Sequence, residues 1–390
     1  MHFRDDAALA DFRGEVRRFI GEHLPADWAT HDDDGAYGAG AIDAARTFQR
    51  AMAARRWLTM AWPREYGGLG ASHWQQLVMN EEMAYHRAPG GNMGVMWVGP
   101  SLLLYGTEAQ KAEHVRAIAD AEVWWCTLYS EPGAGSDLAA MQTRAVADGD
   151  DYLINGQKIW TSGAQSADWG WLAARTDPDA PKHKGLTMFM VDMRSPGITV
   201  RPLVNMAGGH SFNEVFFEDV RVPKTAVVGE VNRGWYHMAV ALDFERSGIG
   251  GFARGRRIVE EYAGYARDHP ETIRRRPSLR YDLADRAVEV QVGTHLAYRI
   301  TDMQTRGIVA NYEASVSKLF ASELAQRIQD TGMAMLGTSA ALIDPGDPRT
   351  PLRGSPGRGY LHAVSSTIAA GTSEIQRGII ATRGLGLPRG

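Results

Sequence analysis

An α+β fold in three blocks, helices then strands then helices, is what the chain predicts, and three observations carry it. From Leu9 through Phe12, Val16, Phe19 and Ile20, apolar residues recur at intervals of three and four, the period of an amphipathic helix, and similar patterns continue to about residue 120. From about residue 121 to 228 the texture turns to short β-branched and aromatic runs separated by Gly, Pro, Asn and Asp. Leu186 to Val191, Ile198 to Val200 and Glu214 to Phe217 are examples. Beyond Gly234 the helical period returns and runs to Arg383, broken by a polar segment near His269 to Pro277 and a Pro- and Gly-rich loop from Asp344 to Gly359. The expected blocks are 1–120, 121–228 and 229–390.

Composition narrows the function. The 390 residues carry a net charge of -4, and the basic residues are scattered, which offers no patch for nucleic-acid phosphates. No apolar run approaches the roughly 20 residues needed to span a bilayer. The start, Met1 to Asp6, is acidic where a secretory signal would be basic and then apolar, so a cytoplasmic protein is expected. The one cysteine, Cys126, cannot pair within the chain and sits among Trp124, Trp125 and Leu128, as a packed thiol would. The 12 histidines lack metal-binding spacing, and no protein-bound metal is expected.

The densest chemistry lies in Thr127-Leu-Tyr-Ser130-Glu-Pro-Gly133-Ala-Gly135-Ser136-Asp137 and Asn155-Gly156-Gln-Lys158-Ile-Trp160-Thr-Ser162-Gly163. Pro132, Gly133 and Gly135 make a turn of little side-chain bulk, so backbone N–H groups can approach a ligand. Asn155-Gly156 reads as a hairpin turn leading into a strand on which Trp160 and Ser162, two apart, share a face. An indole wall beside a hydroxyl suits a flat ring with polar edges, such as an isoalloxazine. A plain β domain with a Gly-rich turn and an ordinary hairpin fits the spacing equally well.

Five motifs in order decide between these: Tyr66-Gly-Gly-Leu-Gly70, Tyr105-Gly-Thr-Glu-Ala-Gln-Lys111, Ser130 to Asp137, Asn155 to Trp160 and Gly371-Thr-Ser-Glu-Ile-Gln-Arg377. Together they span nearly the whole chain, which resembles the acyl-CoA dehydrogenase family. The resemblance implies an N-terminal helical domain, a middle β-barrel and a C-terminal four-helix bundle, with FAD as cofactor and an acyl-CoA thioester as substrate. It further implies that Thr127 and Ser130 meet the pyrimidine edge of the flavin, Ser136 faces both cofactor and thioester, Trp160 shields the ring and Ser162 bonds near N5. Thr372 would contact FAD at the start of the last helix, a suitable place for a pyrophosphate. Ser373 and Gln376 also form a capping-box pattern there.

Many family members carry a glutamate base immediately before the Gly-Thr of the last motif; here that residue is Ala370. Glu245 is the expected replacement. Met238, Leu242, Glu245, Ile249 and Phe252 are spaced 4, 3, 4 and 3, which places the carboxyl on the apolar stripe of a helix. A desolvated carboxyl there would have a raised pKa, as a general base needs. Some members with bulky substrates carry their base in an Asp-x-Glu-Arg segment, matched by Asp243-Phe-Glu245-Arg246. By the same resemblance Arg246 contacts the CoA portion, with Asp243 nearby. Gly248, Gly250 and Gly251 leave room either for an acyl group or for a neighbouring helix, and Trp97, Val98 and Leu102 to Leu104 could line the acyl pocket or simply fill the core.

Two family segments are not recognisable. An Arg-x-x-Phe-Gly is missing near Tyr265 to Thr272, where Arg274, Arg275 and Arg276 follow, and Gln-x-x-Gly-Gly-x-Gly appears as Ala334-Met-Leu-Gly337-Thr338. Both serve contacts between subunits in the family. The expectation is a homotetramer, or a heterotetramer with a paralogous subunit, passing electrons to an electron-transfer flavoprotein. Two alternatives stand beside the dehydrogenase: a non-catalytic or half-site subunit, and a flavin monooxygenase of the same fold.

Overall fold

The computed structural model describes residues 5–28, 39–241 and 248–388. Helices come first: α1 (Ala7–His23), α2 (Ala39–Ala54), α3 (His73–Tyr85), α4 (Gly99–Tyr105) and the short α5 (Glu108–Gln110) and α6 (Arg116–Ala119). The strands are β1 (Trp125–Leu128), β2 (Arg144–Asp148), β3 (Asp151–Lys158), β4 (Trp169–Arg175), β5 (Leu186–Asp192), β6 (Ile198–Leu203), β7 (Phe212–Pro223) and β8 (Val227–Val228). Helices α7 (Gly234–Ala241), α8 (Ile249–Asp268), α9 (Pro270–Arg275), α10 (Leu279–Thr305), α11 (Tyr312–Leu336), α12 (Ser355–Ser366) and α13 (Ser373–Ile379) follow. No helix among the described residues is long and apolar enough to cross a membrane.

The chain divides into two compact units: residues 1–29, 72–88 and 246–390 form one, and residues 30–71 and 89–245 the other. In the first, α8, α10 and α11 pack on one another, α12 and α13 lie on α11, and α3 packs on α8, α10 and α1. The period-three-and-four residues of α1 behave as expected, with Val16, Phe19 and Ile20 buried. Its start is fixed by Asp6, which accepts from the Leu9 N–H at 2.9 Å. Beside this apolar face, Arg13 donates to Glu81 at 2.8 Å and Glu82 at 2.7 Å, and Arg17 to Glu82 at 2.8 Å. Glu82 is fully buried. Burial alone would raise its pKa, but hydrogen bonds from His86, Arg17 and Arg13 outweigh that and hold it below its ordinary value.

In the second unit the strands form one sheet in the order β6-β7-β3-β2-β4-β5-β8, with β1 parallel to β4. Its core runs through Trp125, Leu128, Ile154, Trp171, Phe189 and Val215. Val98 and Leu102, candidates for an acyl pocket, are fully buried in this core. Cys126 is buried as expected, and desolvation pushes its thiol up to about 12.

Four local expectations are corrected. Asn155-Gly156 is not a hairpin turn but lies inside β3, where the register against β7 shifts between Ile154 and Gly156. The turn is at Gly149-Asp150, between the paired Asp148 and Asp151. Tertiary pairing wins over the local signal because Asn155 is engaged by β7: it donates to the Asp219 carboxylate at 2.9 Å and accepts from the Asp219 N–H at 3.0 Å. Since β3 ends at Lys158, Trp160 and Ser162 do not alternate on a strand. The stripe from Met238 to Phe252 does not run along one helix, because Gly248 has φ 67 and caps the N-terminus of α8, while Met238 and Phe252 are buried in different cores. Finally, α12 begins inside the expected 344–359 loop, with Pro356 in its first turn, where proline costs no hydrogen bond.

Candidate active site

The two motifs of the sheet unit are tied together by their charged residues. Glu131-Pro-Gly-Ala134 closes as a tight turn: the N–H groups of Glu131 and Ala134 each donate to the other's carbonyl at 3.0 Å. Cβ atoms built at Gly133 and Gly135 would meet nothing within 4 Å, so this ribbon of backbone is open to approach. The Glu131 carboxylate turns inward and accepts from the N–H groups of Gln142 at 2.5 Å and Thr143 at 2.8 Å and from Lys158 Nζ at 2.8 Å. Lys158, fully buried, also donates to the Tyr129 carbonyl at 3.0 Å. Burial lowers the Lys158 pKa to about 8. Desolvation would raise that of Glu131, but the Lys158 charge and the backbone donors outweigh it and hold it down.

This clasp places Ser130 beside the segment that leads to Trp160, because the Ile159 N–H donates to the Ser130 carbonyl at 2.9 Å. Trp160 itself has φ 61, a left-handed backbone that bulky residues rarely adopt, and its side chain is 58 % exposed. The conformation is imposed from both sides: Ile159 by Ser130, and Thr161 by a reciprocal pair of backbone hydrogen bonds with Asn213 at 3.1 and 3.0 Å. Asn213 adds an amide donor to the Thr161 carbonyl at 3.0 Å and to Gln165 at 2.6 Å. Phe212 meets the indole edge-on at 6.0 Å between ring centres. The result is a large aromatic face held outward at a cost in backbone strain.

Of the other expected ligand residues, Thr127 is half-buried on β1 opposite Trp171, Ser130 is half-buried, and Ser136 and Ser162 are exposed. Asp137, at the end of the turn, is held by Lys182 Nζ at 2.8 Å to each carboxylate oxygen. A shallow hollow of about 460 Å³ lies behind the turn, lined by Pro132, Gly133, Gln142, Thr143, Gly156 and Gln157, and none of the expected ligand residues lines it. Glu131 and Lys158 were not singled out from the sequence. A signal was available: Lys158 shares the even-numbered, inward side of β3 with Tyr152 and Ile154.

In the helical unit, Thr372 rather than Ser373 caps α13, accepting from the Ile375 N–H at 3.2 Å. The capping-box expectation is corrected accordingly: Gln376 Nε2 reaches back to the carbonyls of Ala370 and Gly371 at 3.3 and 3.4 Å. The Thr372 hydroxyl, while accepting from the helix, also donates to the Glu374 carboxylate and helps to lower its pKa, so a ligand there would have to compete with that bond. Gly250 and Gly251 face Ala84 and Ala321, at 3.5 and 3.6 Å from a built Cβ, so close helix packing accounts for them. Arg274, Arg275 and Arg276 are exposed to solvent. Asp243, Glu245 and Arg246 lie outside the described residues.

An exposed indole next to the Ser130 segment, an open glycine backbone, and hydroxyls on Thr127, Ser130, Ser136 and Ser162 in the same unit are groups that fit a planar ring with polar edges and an anionic tail. These residues are therefore suited to a flavin nucleotide.

Comparison with known proteins agrees over the full length. Residues 7–122, 126–220 and 232–385 match the family descriptions "Acyl-CoA dehydrogenase, N-terminal domain", "middle domain" and "C-terminal domain" in turn. The chain is 34 % identical over 391 residues to acyl-CoA dehydrogenase IpdE1 of Mycobacterium tuberculosis, covering 98 % of each protein. Among solved structures it is similar to the "Tcur3481-Tcur3483 steroid ACAD", with TM-score 0.91, 35 % identity and all of both chains covered. The ChsE4-ChsE5 complex of Mycobacterium tuberculosis matches with TM-score 0.87 and 32 % identity, again over all of both chains. With its helical, sheet and bundle segments each matched in order, the chain belongs to the acyl-CoA dehydrogenase family of oxidoreductases.

Proposed function

We propose that this protein binds FAD and dehydrogenates an acyl-CoA thioester between Cα and Cβ, giving the trans-2-enoyl-CoA, with a bulky, steroid-derived acyl group as substrate. The observation that carries the reading is Trp160, whose exposed ring is held outward by a strained backbone next to Ser130. Strain of this kind persists where surrounding contacts over-determine it, and here it yields a wall for a stacked ring. FAD, when bound, supplies the two-electron acceptor for the β-hydrogen. The chain's own residues do the rest. Thr127, Ser130 and Ser162 hydrogen-bond the ring edge, Ser136 serves ring and thioester, Thr372 offers its hydroxyl to the nucleotide, and Asp243 and Arg246 hold the CoA portion. Glu245 takes the α-proton onto its carboxylate, since the methyl of Ala370 cannot. The steroid assignment is supported by the 35 % identical steroid ACAD.

Electrons then leave to an electron-transfer flavoprotein. The test is anaerobic titration of the purified yellow protein with fatty, branched and steroid side-chain CoA thioesters. Bleaching of the visible flavin band by the steroid thioester without NADH is the expected result. A colourless protein, or bleaching only with NADH, rejects it.

A second reading concerns assembly. Ala370 and the missing Arg-x-x-Phe-Gly both fall where family members complete a site, and two similar solved structures are named as pairs of different chains. We infer that this chain works in a heterotetramer with a paralogous subunit. Co-expression should yield a stable complex with activity that neither chain has alone, whereas full activity of the single chain would rule the partner out.

A further inference from the structure

Helix α11 carries a ladder of polar contacts to the end of α12 and the turn beyond it, at positions 318, 322 and 326. Gln326 Nε2 donates to the Ala363 carbonyl at 3.3 Å and to Thr367 Oγ1 at 3.1 Å. Ser366 Oγ donates to the Ser322 carbonyl at 3.0 Å. The top rung is Lys318, whose Nζ donates to the Ser366 carbonyl at 3.1 Å and the Gly371 carbonyl at 2.7 Å. The four-residue spacing puts all three on one face of α11.

The turn they hold is unusual. Ala370 and Gly371 are consecutive left-handed residues, with φ 53 and 85, and the alanine adopts that conformation against its own preference. The turn directs the carbonyls of both residues to Gln376 Nε2, while the Gly371 carbonyl also receives the ammonium. A Cβ at position 371 would meet only the flexible end of Gln376, at 2.6 Å from Nε2, so it is the φ of 85 that favours glycine in this turn. The next residue is Thr372, and the position of its hydroxyl follows from the orientation of the Gly371 peptide. A cation is well suited here, since Ser366 is the last residue of α12 and its carbonyl sits at the negative end of the helix. A charge-assisted bond is also stiffer than the amide contacts lower on the ladder.

We propose that Lys318 is a positioning residue of the flavin site: it fixes the Gly371 peptide and, through it, the hydroxyl that Thr372 presents to the nucleotide. The proposal rests on the flavin reading above. An ordinary clamp between two helices would make the same contacts, so the test needs readouts that a clamp alone does not move. Three full-length variants are compared, Lys318→Met, Lys318→Arg and Gln326→Ala, the last breaking a lower rung of the same ladder. Lys318→Met should raise the FAD dissociation constant by about tenfold or more, as expected for loss of a charge-assisted bond. It should also shift the visible flavin band and speed amide exchange in residues 367–376 of the flavin-free protein. Lys318→Arg should bring the FAD affinity back to within about threefold of wild type, because it keeps the charge and donors. Gln326→Ala should lower Tm while leaving FAD affinity unchanged. An unchanged exchange pattern in Lys318→Met, or a loss of affinity no larger than that of Gln326→Ala, overturns the proposal. Failure of the wild type to bind FAD would reject the flavin reading instead, and the exchange comparison would still decide whether Lys318 orders the turn.

Discussion

Lys158 and Glu131 meet at 2.8 Å with both side chains removed from water, one from the strand that leads to Trp160 and one from the turn that follows Ser130. Each charge also satisfies backbone groups, so the pair stitches three chain segments, at 129–131, 142–143 and Lys158. Replacing Lys158 by Met leaves a buried carboxylate without its cation. This should cost about 3 to 5 kcal/mol of unfolding free energy, the usual consequence of breaking a buried pair from one side. Urea denaturation at pH 7 measures it, and a loss below about 1 kcal/mol, the value of a surface pair, would contradict the clasp.

Acid should weaken the helical unit through Glu82. Its folded pKa lies below the ordinary 4.5, so its contribution is complete above that value and is lost as pH falls through the folded one. Glu82→Gln should be less stable than wild type at pH 7, and the difference should begin to shrink below about pH 4 as the Glu82 carboxylate of the unfolded wild-type chain takes up its proton. Denaturant midpoints at pH 7, 5 and 3.5 provide the comparison; parallel curves would disprove it.

Trp160 illustrates a conflict between stability and binding. Trp160→Gly relieves a left-handed backbone worth about 1 kcal/mol but gains chain entropy in the unfolded state, so stability of the flavin-free protein should change by less than about 1 kcal/mol. FAD affinity should nevertheless fall by about tenfold or more, since a stacking contact of roughly 1 to 3 kcal/mol, as for a nucleobase on an aromatic side chain, is lost. Fluorescence titration and thermal melts on the same preparation separate the two effects.

Gly156 should not tolerate a side chain. With φ 154 it brings its α-carbon against Thr143, where a Cβ would lie 2.5 Å from Oγ1 and 2.7 Å from the Cα. Gly156→Ala should destabilise by about 2 kcal/mol or more, through strain and displacement of β2 from β3. A melt within experimental error of wild type would show that the bulge is dispensable.

Glu245→Ala should slow flavin reduction by acyl-CoA by about 10² to 10⁴-fold, the usual contribution of a general base, while FAD stays bound. Rapid mixing under anaerobic conditions reads this directly. Reduction within a fewfold of wild type would assign proton removal to another group.

Helix α1 could be read from its three-and-four period, and the strands from Leu186, Ile198 and Glu214 from their β-branched and aromatic runs, because each signal is local. What escaped depended on partners far along the chain. Asn155-Gly156 carries a strong turn signal, yet Asp219, more than sixty residues on, takes both polar groups of Asn155 and keeps the segment in the sheet. Met238 and Phe252 keep helical spacing across a left-handed glycine, because each side of that glycine fills a different core with the same periodicity. The sequence marks Trp160 as a candidate, but its outward pose comes from Asn213 and Ser130, which no spacing rule connects to it.

The composition of the two units also sets an order of synthesis. Every segment of the sheet unit lies before residue 246, whereas α1 and α3 wait for helices encoded after it. As the chain leaves the ribosome, Leu77 emerges long before Ile249 and Phe252, with which it shares a core, and the α3 surface stays greasy while the strands assemble. The links from Arg13 and Arg17 to Glu81 and Glu82 give the nascent α1–α3 pair a polar fastening during that interval. Ribosome-stalled intermediates ending near residue 245 are where holding chaperones should be found.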